Sequence, residues 1–347
     1  MKKLIIFLFI TSFFSAQKTE KIKFNKNIKN EFGSYRGFMV LDQRDSQDIG
    51  IISSNSEPTK IVFENEDVAK GIKDWFYEYN SLKTGDQLVL MLEKIKISET
   101  KKEKFSEGKL ELQASTFLKK PDGYYFLKKK DTVVTVTSDF FPNMAQNLSR
   151  KTTAVLADLF QKSYTAKTWQ ISLQESELPN YTAILKSKAK MTNSTDLKDG
   201  VYEDSHSFFT NNPLSGYEIK TNKQGIVKRA EKGYDVKSIH RFYAFVYQGK
   251  MYKMVPAGYA EIKKQNEVYQ INVTYDDLFP PKSGNYTVYG AIAGGLVGAA
   301  IGAMIDSGRT PKGTGGELTL IGLDPLTGNY ILPEDFGKQT AASTDKK

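Results

Sequence analysis

The 347 residues contain no cysteine. That absence excludes disulfides, thiolate metal ligands and a cysteine nucleophile, and with them the lipid-bearing cysteine of a bacterial lipoprotein. Histidine is nearly absent as well: His206 and His240 are the only two. A hydrolytic triad needs a nucleophile within reach of an imidazole. Asp204, Ser205 and Ser207 flank His206, but immediate neighbours on a helix do not face one another. Asp42, Asp45 and Asp48 lack the calcium-loop spacing and its turn glycine. The glycine-rich run from Gly308 to Gly316 lacks the Gly-Lys-Ser/Thr that closes a phosphate loop. No catalytic residue, metal site or cofactor is expected, and the chain reads as non-enzymatic.

Charge is missing from one long stretch, Val288 to Ile305, VYGAIAGGLVGAAIGAMI. Gly290, Gly294, Gly298 and Gly302 recur every four residues, and Ala291, Gly295, Ala299 and Ala303 occupy the adjacent register. On a helix these positions form two neighbouring stripes of small side chains. Such stripes let two helix backbones approach closely, which is how helices associate in lipid. These eight residues are therefore the expected interface of a glycine zipper. At about 1.5 Å per residue the stretch spans about 27 Å, just short of a hydrocarbon core of about 30 Å. Each glycine also weakens a helix by about 1 kcal/mol, so the segment inserts poorly alone. Paired with copies of itself or with another helix, its stripes become an interface. The other solution is that it packs on the protein's own body.

The amino-terminus, MKKLIIFLFITSFFSA, has two lysines, an apolar run from Leu4 to Ile10 and small residues ending at Ala16. That is the pattern of a secretory signal peptide, too short in its apolar core to be a stable span. Cleavage is expected near Ala16, giving an exported chain in the periplasm or associated with the outer membrane. Removing Lys2 and Lys3 takes the formal charge from +9 to +7. A basic exported chain is suited to anionic headgroups or acidic envelope polymers rather than to nucleic acid. The alternative is that the charge only keeps the protein soluble.

The order of patterns predicts an α+β protein. Its segments are a signal peptide over 1–16, an α+β domain over 17–168, a polar linker over 169–180 and a mainly β domain over 181–282. A glycine-zipper helical segment over 286–306 follows, then a glycine-rich loop and β-hairpin over 307–337, and a disordered tail over 338–347. In the first domain a strand from Gly37 to Leu41 precedes a helix capped by Asn65, with Val68, Ile72, Trp75, Phe76 and Tyr79 at helical spacing. Gln87 to Ile97 is apolar on both faces, the pattern of a central strand. It opens a four-strand meander through Lys109–Leu118, Tyr124–Lys128 and Thr132–Thr137, closed by a helix from about Pro142 to Lys162. Lys128, Lys129 and Lys130, with Lys119 and Lys120, read either as a basic hairpin tip or as a solvated edge device that discourages strand addition. In the second domain Thr182 to Lys188 reads as a strand, and the tyrosines at 243, 247, 252, 259, 269 and 275 as cross-strand packing or a binding platform. Leu318 to Leu332 reads as a hairpin across Asp324–Gly328. An isolated hairpin is marginal in water, so it is expected to join the second domain's sheet.

Two resemblances follow from motifs. Asp42, Arg44 and Gly50, followed by a helix, a long strand hairpin and a closing helix, resemble the YajG-type envelope lipoproteins and the ABC-transport auxiliary domains over roughly residues 32–164. This implies an envelope lipoprotein or transporter accessory, without the cysteine anchor. Gly200-Val201-Tyr202, Phe208-Phe209 and Asn212-Pro213 with the following zipper are similar to uncharacterised exported proteins of Gram-negative bacteria. The first functional expectation is a non-enzymatic cell-envelope protein associating with a membrane or with itself through the zipper. The alternative is a soluble periplasmic accessory or binding module for a lipid, peptide or transporter component, with the zipper as internal packing.

Overall fold

The computed structural model describes residues 18–31, 35–54, 57–81, 85–189, 191, 197–266, 268–279, 296–297, 317–333 and 336. The expected signal peptide and carboxy-terminal tail lie outside them. Helices and several sheets occur together, so the chain is α+β with mainly β content.

The first half is built on a five-stranded sheet. Its strands are β2 (Tyr35–Asp42), β5 (Asp86–Lys101), β6 (Ser106–Lys120), β7 (Gly123–Thr137) and β8 (Ser172–Leu173), hydrogen-bonded in that order. β2 runs parallel to β5 and the other neighbours are antiparallel. As its two-faced apolar pattern predicts, β5 is interior to the sheet. Leu88, Leu90 and Leu92 enter one core, and Val89 and Met91 the other. On the first face lie α1 (Val68–Tyr79) and α2 (Met144–Tyr164), where Phe76 and Phe160 meet Phe38 and Trp75 packs edge-on against Phe160. A further sheet, β1 (Lys18–Ile22), β4 (Glu57–Phe63) and β3 (Gly50–Ser54), has no counterpart in the sequence-based expectation. Ile22, Ile52 and Ile61 anchor it in the same core.

Several local expectations change. Asp67, not Asn65, caps α1: its side chain accepts from Lys70 N at 2.9 Å, while Asn65 Oδ1 accepts from Asp67 N at 3.0 Å. The meander has three strands, because β7 continues through Lys128–Lys130 instead of turning there. Lys128, Lys129 and Lys130 do not form a tip, whereas Lys119 and Lys120 end β6 at its turn into β7. Lys129 donates to Glu93 Oε1 at 3.2 Å and Lys130 to Asp158 Oδ2 at 3.1 Å. The stretch expected as a linker, 169–180, is core: Trp169, Leu173 and Leu178 are buried, β8 extends the sheet and a 3-10 turn covers Glu175–Asn180. Its polar residues are real, but its few large apolar ones sit where they fill the sheet's second face. Thr182 to Lys188, expected as a strand, lies in the helix α3 (Tyr181–Lys188), which buries Tyr181 and Leu185 at i, i+4.

The second half is an eight-stranded sheet. β9 (Gly200–Tyr202) lies at one edge, followed by the meander β13 (Ala244–Tyr247), β14 (Lys250–Val255), β15 (Gly258–Gln265) and β16 (Val268–Val273). Gln248 and Gly249, with φ of 53° and 71°, make the tight β13–β14 turn. Between β9 and β13 come the short helix α4 (Ser205–Phe209) and a small sheet of β10 (Glu218–Thr221), β11 (Val227–Lys232) and β12 (Asp235–Ser238). This small sheet covers Phe245, Met254 and Tyr259 on one face of the long sheet. The other face shares a single apolar cluster with β5, β6, β7 and α3, through Phe117, Phe126, Tyr181, Phe209 and Tyr269. The two expected domains are thus joined by a common core.

Candidate functional site at the edge of the long sheet

Between Phe279, which follows α5 (Tyr275–Leu278), and Glu317, the described residues are Leu296 and Val297. β18 (Thr319–Leu323) and β19 (Tyr330–Ile331) then form the expected hairpin. β18 pairs antiparallel with β16, so the hairpin extends the second half's sheet. In that register Val273, the last residue of β16, sits opposite Thr319, the first of β18. The strands that precede and follow this stretch are therefore neighbours in one sheet.

The turn of the hairpin is held from several sides. Gly328 N donates to Asp324 O at 2.7 Å and Thr327 Oγ1 to Asp324 Oδ2 at 2.8 Å. Lys186 of α3 pairs with Asp324 at 2.9 Å. Gly328 has φ of 74° and lies so close to Ser205 that a side chain there would collide with it. Inward from the hairpin, Ile321, Leu323, Leu326 and Tyr330 join the shared core. Outward, Leu318, Leu320 and Ile331 are 60%, 47% and 50% exposed. Alternation along the strands places these three on one face of the sheet.

β17 (Leu296–Val297) comes from the expected zipper. It pairs in parallel with Tyr330–Ile331 and lies against β7. The sequence spacing predicts a helix at these two residues, whereas they are extended and hydrogen-bonded into the sheet. The expected interface residues Gly290, Ala291, Gly294, Gly295, Gly298, Ala299, Gly302 and Ala303 lie outside the described residues. Among the described residues no helix is long and apolar enough to cross a membrane.

A lysine supports this edge from within. Lys253 of β14 is 6% exposed. Its ammonium lies 4.0 Å from the centroid of Tyr243 and 5.4 Å from that of Tyr330. It donates to Met254 O at 2.8 Å and Tyr243 O at 3.3 Å. Tyr330 Oη donates to the same Met254 carbonyl at 3.2 Å, and Tyr243 Oη to Gly328 O at 3.2 Å. Burial pushes the lysine down to about 7, and among the described residues no carboxylate pairs with it. Two aromatic faces and two carbonyls hold the cation, joining the meander to the hairpin. Sequence reasoning missed it. The signal was a charged residue on the inward phase of an otherwise apolar strand, Met251 to Val255.

The remaining sequence candidates make local packing and hydrogen-bond contacts. His206 Nε2 lies 3.1 Å from Thr168 O, and its ring meets the edge of Trp169. Burial lowers its pKa, and its neighbour Ser207 is occupied with the cap of α4 at Asp204. Asp42 and Arg44 form a two-pronged ion pair, with both N···O distances 2.7 Å, and the guanidinium lies over Phe63. At Gly50, with φ of 136°, a Cβ would run into Ile97 O. The motif thus closes a turn and brings β3 against β5. Phe245 and Tyr252 are cross-strand partners stacked at 4.8 Å, with Tyr259 edge-on, which accounts for these tyrosines as packing. Among the described residues, no group of three or more histidine or carboxylate side chains is placed to hold a metal ion. No family model, curated protein or solved structure matches this chain.

Proposed function

We propose that this is an exported, non-enzymatic cell-envelope protein that associates with a membrane, or with further copies of itself, through residues 288–305 presented from the edge of the long sheet. The observation that carries the reading is the register of Val273 against Thr319: the chain departs for the zipper and returns from it on adjacent strands. A helical crossing needs about 20 residues, so this stretch cannot cross and come back. It therefore meets one leaflet or another copy from one side. Exposed Leu318, Leu320 and Ile331 beside the exit enlarge the apolar contact. An envelope transporter component is the further partner that the resemblance over 32–164 suggests.

The second reading, a soluble periplasmic accessory with the zipper as internal packing, draws support from the pairing of Leu296–Val297 with Tyr330–Ile331. Fractionation separates the two. The first reading expects the full chain in the envelope pellet, resistant to carbonate or urea washing, and a deletion of 288–305 in the wash. Equal release of both proteins would select the second.

A further inference from the structure

Away from that edge, a cleft of about 470 Å³ lies between the amino-terminal strand β1, the loop after it and the start of α2. Four cations line it: Lys21, Lys23, Lys26 and Arg150. All four are exposed, and none makes an ion pair among the described residues. A single carboxylate, Glu20, shares the cleft, leaving it with a net charge of +3 from four cations and one acid. Unpaired like charges held together repel one another, so the arrangement is stabilised by an anion that bridges them.

The second observation is Ser149, which lines the same cleft and is 2% exposed. Its Oγ has no hydrogen-bond partner among the described residues. On the same helix Thr152 Oγ1 donates to Leu148 O at 2.9 Å, Ser163 Oγ to Leu159 O at 2.6 Å, and Thr153 Oγ1 to Lys23 O at 2.8 Å. Ser149 is the exception. A buried hydroxyl without a partner costs free energy, and an oxyanion seated in the cleft supplies the acceptor it lacks. The walls are also fixed in advance. Thr153 holds the Lys23 carbonyl, Trp75 Nε1 holds that of Lys26 at 2.8 Å, and β1 pairs along its length with β4. Gln146 N is already taken by Asn143 Oδ1 at 3.3 Å, so the donors for a ligand are side chains: the cations, the serine hydroxyl and the Gln146 amide.

We propose that this cleft is a binding site for a phosphate group. Arginine, lysine and a hydroxyl form the donor set that phosphate oxygens accept from, and the volume leaves room for the organic group that carries the phosphate. The phosphate has two possible sources, a soluble phosphate and an anionic phospholipid headgroup. The site is independent of residues 288–305, so its fate does not decide how those residues are used.

The test titrates the full chain with inorganic phosphate by calorimetry, and measures co-sedimentation with phosphatidylglycerol and with phosphatidylcholine vesicles. The variants are Lys23→Gln with Arg150→Gln, Ser149→Ala, and a control, Lys102→Gln with Lys104→Gln, that removes the same charge at the distant β5–β6 tip. Circular dichroism melts verify that each variant folds. The proposal expects the cleft double variant to weaken binding by at least about tenfold, the weight of one charge-assisted hydrogen bond, and the control to leave it unchanged. Ser149→Ala should weaken it by a few-fold. Loss confined to phosphatidylglycerol vesicles identifies a headgroup, and loss confined to inorganic phosphate a soluble ligand. Failure of both probes to bind overturns the proposal, as does equal weakening by the control.

Discussion

The Lys253 ammonium rests 4.0 Å from the centre of the Tyr243 ring, and its hydrogen bonds go to carbonyls, with no carboxylate among them. Its pKa of about 7 in the fold lies well below the ordinary 10.5. Between those values the unfolded chain binds the extra proton, so stability rises with pH from about 7 to about 10 and is flat below. Both carbonyls keep a second donor, Met254 N and Tyr330 Oη, so Lys253→Met orphans neither. That variant should be more stable near pH 6 by about 1 to 3 kcal/mol, and its urea midpoint should lose the rise between pH 7 and pH 9. A destabilised variant that keeps the rise would show that the lysine is not its source.

At Gly50 the backbone of β3 touches that of β5. Gly50→Ala places a methyl group against Ile97 O in a left-handed backbone region, and should cost about 2 to 4 kcal/mol. Gly225→Ala, with φ of 77° but open space around it, should cost about 1 kcal/mol. Thermal melts that rank the two the other way would remove the close approach as the reason for the glycine.

Asp42 holds a guanidinium that is only 2% exposed. Burial raises the Asp42 pKa, but the hydrogen bonds and charge of Arg44 outweigh it and leave the carboxyl below its usual value. Stability from the pair is therefore present above pH 4 and lost as pH falls through the lowered pKa. Asp42→Ala leaves the buried cation unpaired and should cost about 3 kcal/mol. Unchanged denaturation midpoints at pH 7 would mean that the pair contributes nothing.

Gly294 and Gly298 flank the extended Leu296–Val297 pair, and contact through the small residues on either side of it should be disrupted by bulk. Gly294→Leu with Gly298→Leu should abolish cross-linked oligomers and membrane retention while circular dichroism and the melting temperature stay as in the wild type. Cross-linked species of unchanged abundance would exclude the zipper as an interface.

How much was legible in the sequence varied with the kind of signal. The two-faced apolar run of β5, the helical spacing of α1 and the Gln248-Gly249 turn each carry their structure locally, and each appears as expected. Placement of the 318–332 hairpin followed from its inability to stand alone, and β16 supplies the neighbour. Trp169, Leu173 and Leu178 were illegible because their polar surroundings suggest a linker, and their burial comes from a cluster that includes the distant Phe117 and Phe126. Likewise β1 is polar by composition and becomes a strand by pairing with β4, far along the chain. Lys253 was hidden for the same reason. Its partners are two tyrosines separated in sequence by more than half the second domain.

The central claim is that residues 288–305 meet a membrane or another copy from one side, without crossing. Cysteines introduced singly at Ser238 and at Thr314, into a chain with no native thiol, test it directly with an impermeant maleimide in intact and permeabilised cells. The account predicts that both sites label from the same compartment, with the same dependence on permeabilisation. Labelling of Ser238→Cys and Thr314→Cys from opposite sides of one membrane would contradict it and establish a traverse.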